Sequence, residues 1–275
     1  RIAREVEFAN PALKHWSRQL EGQRIVRVAP HGKAMLIRFA NGLTMYSHNQ
    51  LFGRWYTARP GETPETKRTL RLRIATDKGA ALLYSASTIA VLDEQDVREH
   101  PYLSRLGPDL LDDESTPATF ERRLREPAFA KRTLGALFLD QGFIAGVGNY
   151  LRSEICWAAK LDHRRTPASL TPAQRRTLAK QIAVIGRRAY ETDGYTNDPK
   201  LVAKLKAKGQ KTGLWFAAFS REGKPCYRCG ELILREVANG RRIYRCPVCQ
   251  PRAESNVHRR AGRSAARRAT TRRKA

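Results

Sequence analysis

Four of the five cysteines lie in two closely spaced pairs near the end of the chain, and this pattern restricts the fold more than any other feature of the sequence. Cys226 and Cys229 are separated by two residues, and Cys246 and Cys249 repeat that spacing after an interval of sixteen residues. A Cys-x-x-Cys pair is typical of a tight turn that presents both thiolates to one metal ion. Two such turns complete a tetrahedral set of sulfur ligands, so the spacing predicts a zinc-binding module.

Two disulfides are the alternative use of the same four cysteines. Disulfides are typical of secreted chains, and the opening residues RIAREVEFANPALKHW contain no apolar signal core, so we predict zinc. Between the pairs, Leu232–Val237 and Arg241–Arg245 have the pattern of two short strands joined by an Asn239-Gly240 turn. The fifth cysteine, Cys156, lies in an apolar helical stretch and is expected to be a buried thiol.

The chain carries a large excess of positive charge. Its 275 residues include 52 Lys or Arg and 26 Asp or Glu, which gives a formal net charge of +26. Such an excess excludes an ordinary acidic enzyme and favours a polyanionic partner. No run of 18 apolar residues occurs, so we expect no membrane partner and place the protein inside the cell, in the cytoplasm or at the nucleoid.

Four segments with different patterns follow one another, and together they predict an α+β fold. The segments are residues 1–92, 93–212, 213–250 and 251–275. The first alternates polar and apolar side chains at period two, which predicts an N-terminal β-sandwich. The second contains the helix starts Thr116-Pro117 and Thr171-Pro172 and is expected to be helical, with a basic linker over 193–212. The third is the cysteine module, and the fourth, rich in arginine, is expected to be disordered.

Lysines recur along the linker, with Lys200, Lys204 and Lys208 among them. A run of this kind is most often a solvated face, and direct contact with nucleic acid is the less favoured interpretation. The arginine-rich tail is expected to attract phosphate without reading sequence.

Residues 137–154 combine an apolar helix with a glycine turn. The helix is expected to end near Gly142, the turn to be built from Gly146 and Gly148, and a new helix to follow Asn149. Glycine lets the backbone approach a phosphate closely, and Asn149 is expected to cap the new helix beside its exposed N–H groups. A dinucleotide motif is excluded, because a helix and not a strand precedes the turn.

Together with the cysteine module, this run resembles the helix-two-turn-helix of the formamidopyrimidine-DNA glycosylase and endonuclease VIII family. The resemblance extends over nearly all of residues 1–250, and Tyr46–Gly53 and Leu83–Ser87 are more similar to the endonuclease VIII branch. It implies an N-terminal β-sandwich, a helical domain that ends in a four-cysteine zinc β-hairpin, and DNA in the cleft between them. It also implies a bifunctional DNA glycosylase and AP lyase that excises oxidised pyrimidines and nicks the strand by β,δ-elimination. The expected partner is double-stranded DNA with damaged bases or abasic sites, bound by a monomer.

The family's roles can be assigned in the first segment where residues match. Lys33 resembles a lysine that contacts DNA phosphate and assists β-elimination; the alternative is an ordinary exposed strand lysine. Gln50, Leu51 and Phe52 resemble the wedge that fills the gap left by an everted nucleotide. An amide and two apolar groups suit that role. The alternative for the apolar pair is a place in a strand core.

Further roles can be assigned in the rest of the chain. Arg105 resembles a DNA-contacting arginine of the branch, and Asn149 resembles the phosphate-binding asparagine. Arg241 matches the hairpin arginine that contacts phosphate and takes part in δ-elimination. Glu154 resembles a buried supporting carboxylate, with an ordinary glutamate on a helix face as the alternative.

The family's nucleophile is the amine of an N-terminal proline, followed by a glutamate that donates a proton. This sequence begins with Arg1 and Ile2. Because the first residue is Arg1, we expect a shortened copy of an active enzyme; the alternative is a chain that has lost its nucleophile. The chain as given should bind DNA without being trapped on it by borohydride. Two other functions stay open: a noncatalytic DNA-binding protein, and a zinc-ribbon factor that binds RNA or the ribosome. The glycine turn and Gln50 argue against the second.

Overall fold

The structure is a computed structural model that describes residues 1–210 and 212–252. The chain divides into two compact units. The first contains Arg1–Asp109 and Ile144–Gly146, and the second contains Leu110–Phe143 and the residues from Val147 onward. The division into four segments stays a prediction. The tail was expected to be disordered, and its residues from 253 onward lie outside the described ranges. Within those ranges no helix is both long and apolar enough to cross a membrane.

The first unit is built on two four-stranded antiparallel sheets. Its strands are β1 (Glu5–Phe8), β2 (Ile25–His31), β3 (Ala34–Phe39), β4 (Thr44–His48), β5 (Arg54–Ala58), β6 (Leu70–Thr76), β7 (Gly79–Tyr84) and β8 (Thr88–Leu92). One sheet has the order β1-β6-β7-β5 and the other β2-β3-β4-β8. Two short helices, α1 (His15–Leu20) and α2 (Glu94–Glu99), belong to the same unit.

Side chains from both sheets meet in one core. Phe39 and Met45 come from one sheet, Leu72, Ile74 and Leu83 come from the other, and all five are almost inaccessible to solvent. Alternation at period two therefore turns one face of each strand toward the facing sheet. The predicted N-terminal β-sandwich is confirmed.

The second unit contains five helices and a two-stranded hairpin among its described residues. They are α3 (Pro117–Arg125), α4 (Leu134–Leu137), α5 (Asn149–Ala158), α6 (Pro172–Glu191), α7 (Pro199–Ala207), β9 (Leu234–Ala238) and β10 (Arg241–Arg245). Thr116 and Thr171 cap α3 and α6, each accepting a hydrogen bond from the backbone N–H three residues later. Proline follows each cap, where its missing N–H costs nothing. Both predicted helix starts are confirmed.

The helix before the glycine turn is shorter than expected. It ends at Leu137 rather than near Gly142. Beyond it, Asp140 Oδ1 accepts a hydrogen bond from the backbone N–H of Gly142 at 2.8 Å. An aspartate that bonds the backbone two residues ahead competes with a helical ladder, and this ends the helix early.

The basic linker is not structureless, because it contains α7. Asp198 caps this helix by accepting from the backbone N–H of Lys200 at 2.9 Å. Leu205 is buried, and Leu201 and Val202 are half-buried. The sequence obscured the helix because lysines surround these few apolar positions.

The cysteine module forms the predicted hairpin. β9 and β10 pair antiparallel, and Asn239 and Gly240 between them have φ angles of 55° and 69°. Two successive positive φ values define the turn whose twist matches that of paired strands, which Asn-Gly favours. The first strand begins at Leu234, two residues later than predicted.

Candidate functional site

One end of the β2-β3-β4-β8 sheet carries most of the candidate residues of the first unit. Lys33 lies in the turn between β2 and β3, and its neighbour Ala34 pairs with His48, the last residue of β4. The chain then continues into residues 49–53, named here the wedge loop. The strand register thus brings Lys33 and the start of the wedge loop to the same edge of the sheet.

Hydrogen bonds hold the wedge loop in one conformation. The N–H of Gly53 donates to the carbonyl of Asn49 at 2.7 Å, and the N–H of Gln50 donates to His48 Nδ1 at 3.1 Å. The guanidinium of Arg68 donates to the carbonyl that precedes Gly53. A Cβ atom on Gly53 would lie 2.6 Å from the Cα of Asn49, so only glycine fits where the loop closes.

The fixed loop presents its apolar side chains to solvent. Leu51 is 80% exposed and Phe52 is 69% exposed. Gln50 has a φ of 51°, a left-handed conformation that few residues other than glycine adopt, and its side chain is exposed as well. The strand-core alternative for Leu51 and Phe52 is therefore wrong.

His48 and Tyr102 connect Lys33 to the wedge loop. The backbone N–H of Lys33 donates to the Tyr102 hydroxyl at 3.1 Å, and the Tyr102 ring meets the His48 ring edge-on at 5.1 Å. Burial lowers the pKa of His48, and the positive charge of Lys33 lowers it further. A neutral imidazole keeps Nδ1 free to accept the Gln50 N–H, so the Lys33 charge favours the state of His48 that holds the loop.

Residues 100–109 close the same edge. Asp109 Oδ2 accepts from the backbone N–H of Gly32 at 2.6 Å, and His100 Nδ1 accepts from that of Tyr102 at 3.2 Å. Arg105 lies on the short 3₁₀ turn Leu103–Arg105 and is exposed. The Arg105 side chain is thus accessible to an anionic partner.

In the second unit, a buried arginine organises the candidate residues. Arg152 of α5 has no exposed surface and is the largest fully buried side chain among the described residues. Its guanidinium donates to the carbonyls of Gly135 (3.0 Å), Ala238 (3.3 Å), Arg241 (3.4 Å) and Arg242 (3.2 Å) and to Asn149 Oδ1 (2.8 Å). Burial lowers the pKa of Arg152, yet a guanidinium remains charged, and a buried charge needs such acceptors. The contacts fix the hairpin turn and Asn149 to one group.

Asn149 does not cap α5, which corrects the sequence-based expectation. Gly148 occupies the cap position, and Asn149 is the first helical residue. The side-chain carbonyl of Asn149 accepts from Arg152, and Nδ2 donates to the carbonyl of Arg242 at 3.0 Å. An amide nitrogen has a second N–H bond, which can donate to a phosphate oxygen beside the free backbone N–H groups of the helix start.

Glu154 lies one turn of α5 beyond the start and is buried. Its carboxylate accepts from the backbone N–H groups of Ala217 (2.8 Å), Ala218 (2.8 Å) and Phe219 (2.7 Å) and from the Thr196 hydroxyl (2.7 Å). Burial raises the pKa of Glu154, and these four hydrogen bonds oppose the rise. The contacts fix the segment that leads into the cysteine module, so the alternative of an ordinary helix-face glutamate is wrong.

Arg241 and Arg242 stand at the hairpin turn with exposed side chains. Their backbone carbonyls accept from Arg152, and the N–H of Tyr244 donates to the hydroxyl of Ser153 at 3.2 Å. The Arg241 guanidinium is therefore accessible while the backbone that carries it is fixed.

The four paired cysteines converge as a metal site requires. Their sulfur atoms all lie within 4.8 Å of one another, with separations of 3.4 Å, 3.5 Å and 4.0 Å among them. Four sulfurs about 2.3 Å from a zinc ion would be about 3.8 Å apart, whereas a disulfide needs about 2 Å. The indole N–H of Trp157 donates to Cys226 Sγ at 3.3 Å, which favours the thiolate. These residues fit a metal ion better than two disulfides, while Cys156 is a buried thiol as expected.

Comparison with known proteins decides the family. Residues 1–87 match the formamidopyrimidine-DNA glycosylase N-terminal domain, and residues 106–199 match the H2TH domain of that glycosylase. An Endonuclease 8 of Escherichia coli is 42% identical over 246 residues, which cover 90% of this chain and 90% of the relative. An Endonuclease 8 of Pectobacterium carotovorum is 42% identical over 245 residues, 89% of this chain and 90% of the relative. The chain belongs to the formamidopyrimidine-DNA glycosylase and endonuclease VIII family.

Solved structures show the same fold. The Fpg protein of Lactococcus lactis, in complex with DNA containing an abasic site, aligns with a TM-score of 0.73 at 19% identity, covering 92% of this chain and 93% of that one. The same protein in complex with DNA containing an oxidised pyrimidine aligns with a TM-score of 0.73 at 20% identity and the same coverage. Members of the endonuclease VIII family are DNA glycosylases and AP lyases of base excision repair, and the resemblance inferred from the sequence is confirmed.

Sequence reasoning missed three residues that hold the candidate groups: His48, Tyr102 and Arg152. Each acts through contacts with residues far along the chain or through the backbone, which no short motif reveals. Arg152 offered one signal, because it begins a charged and polar run, Arg152-Ser153-Glu154, between the apolar residues Leu151 and Ile155. An arginine on the inner face of a helix calls for a buried set of acceptors.

Replacing Arg152 should destabilise the second unit. Arg152→Gln leaves backbone carbonyls of the hairpin without their donor, and we expect a loss of about 3 kcal/mol in the free energy of unfolding. Denaturant titration measures this, and faster amide hydrogen exchange should appear at residues 234–245. The exposed Arg122 of α3 provides the control, since Arg122→Gln should change stability by less than about 0.5 kcal/mol. Equal effects of the two changes would contradict the assigned role.

Proposed function

We propose that this member of the family excises oxidised pyrimidines from DNA and cleaves the resulting abasic strand by β,δ-elimination. Support comes from the relatives named Endonuclease 8 and from the similarity of Tyr46–Gly53 and Leu83–Ser87 to that branch. The observation that carries the proposal is the wedge loop, which exposes Leu51 and Phe52 on a fixed backbone. Everting a nucleotide costs a few kcal/mol, and apolar groups inserted into the gap offset that cost.

The remaining candidate residues take roles by their chemistry. Lys33 stands at the same sheet edge as the wedge loop, where its amine can bind phosphate and move a proton during β-elimination. Asn149 donates to a phosphate from the start of α5, and Arg105 adds an exposed positive charge. Arg241 contacts phosphate and assists δ-elimination from the hairpin turn.

The family's nucleophile, an N-terminal proline amine with a following glutamate, is not among these assignments. The residues assigned above serve the steps before and after the nucleophilic attack: they fill the gap, bind phosphates and act after the base has left. Every assigned residue lies on one chain, so a monomer suffices. DNA as substrate places the protein with the chromosome inside the cell.

We further propose that the four cysteines hold one structural zinc ion. The sulfur separations and the Trp157 hydrogen bond support this assignment. Four thiolates complete a tetrahedral shell, so the ion has no open position for water and stabilises the hairpin that carries Arg241.

The wedge can be tested by binding alone. The double change Leu51→Ala with Phe52→Ala should weaken binding to a duplex with an uncleavable tetrahydrofuran abasic analogue about tenfold or more, because the gap is left unfilled. Fluorescence anisotropy measures the affinity, and 2-aminopurine beside the analogue reports unstacking. Val26 and Val28, 52% and 57% exposed on β2, provide the matched control as a double alanine change. If both double variants lose the same affinity, the loop is not the wedge.

Lesion choice and the role of Lys33 are tested by strand incision, with protein translated from the start codon of its own gene. We expect nicking of a duplex that contains 5-hydroxyuracil, and much slower nicking of a duplex that contains 8-oxoguanine. Lys33→Ala should slow incision about a hundredfold, on the scale of general acid–base assistance, and reduce duplex binding far less. Lys67→Ala, an exposed lysine of the same unit, should change neither. Binding without incision of any lesion by the unaltered protein would instead favour the noncatalytic DNA-binding function.

Metal content tests the cysteine site. We expect one zinc per chain, and its removal by a chelator should speed hydrogen exchange in residues 226–249 while leaving the β-sandwich unchanged, because the hairpin alone is marginally stable. Cys229→Ser should lower the zinc content, whereas Cys156→Ala should retain it. Disulfide-linked cysteines in the purified protein would contradict the zinc assignment.

A further inference from the structure

A second surface of the second unit has the features of a nucleic-acid contact, and none of the residues given a role in DNA binding or catalysis above belongs to it. It is formed by residues 195–210 and 212–215, most of which lie in the segment 193–212 that the sequence predicted only as a basic linker. Two features define it: a row of lysines along α7, and the exposed Trp215, which stacks on the half-buried Tyr195.

The segment is held firmly at both ends. The N–H of Thr196 donates to the carbonyl of Trp215 at 2.8 Å, and the side-chain amide of Asn197 donates to the carbonyl of Leu214 at 2.8 Å. At the other end, the Tyr227 hydroxyl donates to the carbonyl of Gly213 at 2.9 Å. α7 is therefore positioned on a buried framework and is not a loose connection.

The outer face of α7 carries a lysine stripe, defined as Lys200, Lys204 and Lys208. All three are exposed, and their spacing of four residues places them on one side of the helix, about 6 Å apart. No acidic residue occurs between Lys200 and Lys208, and the capping Asp198 pairs with Arg188 at 3.6 Å. Like charges at this spacing repel one another and weaken the helix, and a row of phosphates would relieve that repulsion.

An aromatic pair lies where the segment begins and ends. Trp215 stacks on Tyr195 with ring centroids 4.7 Å apart and an angle of 21° between the planes. Gly194 brings the backbone close to the indole, since a Cβ there would lie 3.1 Å from it. Trp215 nevertheless remains 46% exposed, although tryptophan is usually buried. An indole supported on one side and open to solvent can stack with a flat ring.

We propose that this surface binds unpaired nucleotides of DNA, with the lysine stripe on successive phosphates and Trp215 stacked on a base. A positively charged track beside an exposed aromatic ring is the combination that single-stranded nucleic acid requires. A paired duplex has its base faces occupied and would use only the lysines. The proposal rests on the proposed function for the choice of DNA as partner, since the gap left by β,δ-elimination exposes unpaired bases.

The lysine stripe is tested by the salt dependence of binding to a fifteen-nucleotide oligo-dT. Changing Lys200, Lys204 and Lys208 together to Gln should reduce the slope of log K against log salt by about 2, because each phosphate contact on a single strand contributes about 0.7. The control changes Lys131, Lys160 and Lys180 to Gln, which removes the same charge from scattered exposed positions of the same unit. All variants share residues 253–275, so any contribution from them cancels. Equal slopes for the two triple variants would overturn the proposal.

Trp215 is tested by fluorescence and by competition. Oligo-dT should quench part of the tryptophan emission of the unaltered protein; Trp215→Phe should abolish that quenching, and Trp16→Phe should retain it. Unchanged quenching in Trp215→Phe would overturn base stacking. So would an equal loss of affinity for oligo-dT and for fully paired duplex in Trp215→Phe, or equal competition by polyglutamate for the unaltered protein. Incision of a lesion-containing duplex is measured separately on the unaltered protein. If no incision occurs, the proposed function is wrong, whereas weaker oligo-dT binding by the lysine-stripe and Trp215 variants would still support the proposed surface.

Discussion

Burial of a charged and polar run on α5 is the constraint on which the second unit depends. Arg152, Ser153 and Glu154 follow one another and are all inaccessible to solvent. A buried charge is tolerated only when partners surround it, so the backbone must bring carbonyls to the arginine and N–H groups to the glutamate. Those partners belong to the hairpin and to residues 217–219, which explains how a helix of ten residues positions two separate segments.

The wedge loop of the first unit is also held through its backbone, by fewer charged groups. Hydrogen bonds with His48 and Arg68 fix the backbone, and Gly53 lets the loop close because it has no side chain. The side chains of Leu51 and Phe52 are exposed and do not pack in the core. A backbone that is fixed in advance loses less conformational entropy when a partner binds, which is the advantage that the proposed insertion into DNA would use. In both units, most of the candidate side chains are exposed, and hydrogen bonds to other residues hold the backbone that carries them.

The sequence predicted those features that depend on short-range pattern. Period-two alternation indicated the sandwich, Thr-Pro pairs marked two helix starts, and cysteine spacing indicated the hairpin with its Asn239-Gly240 turn. It failed where distant residues decide the outcome: Asn149 is bound by Arg152 and by a carbonyl 93 residues away, which removes it from the expected capping role. The same applies to α7, whose few apolar positions become a helix face only against the rest of the unit. Exposure of Leu51 and Phe52 also depended on a loop closure that the sequence alone does not display.

The hairpin illustrates why two kinds of restraint are combined. A two-stranded hairpin is marginal by itself, and the cysteines restrain only the end of the hairpin that lies away from its turn. Arg152 restrains the opposite end through the carbonyls of Ala238, Arg241 and Arg242. A metal ion held by the four cysteines would fix the strands to each other, whereas the buried arginine fixes their turn to α5 and to Asn149. Loss of the first restraint would let the strands separate, and loss of the second would let the turn move away from the start of α5. The position of Arg241 relative to Asn149 therefore depends on both restraints.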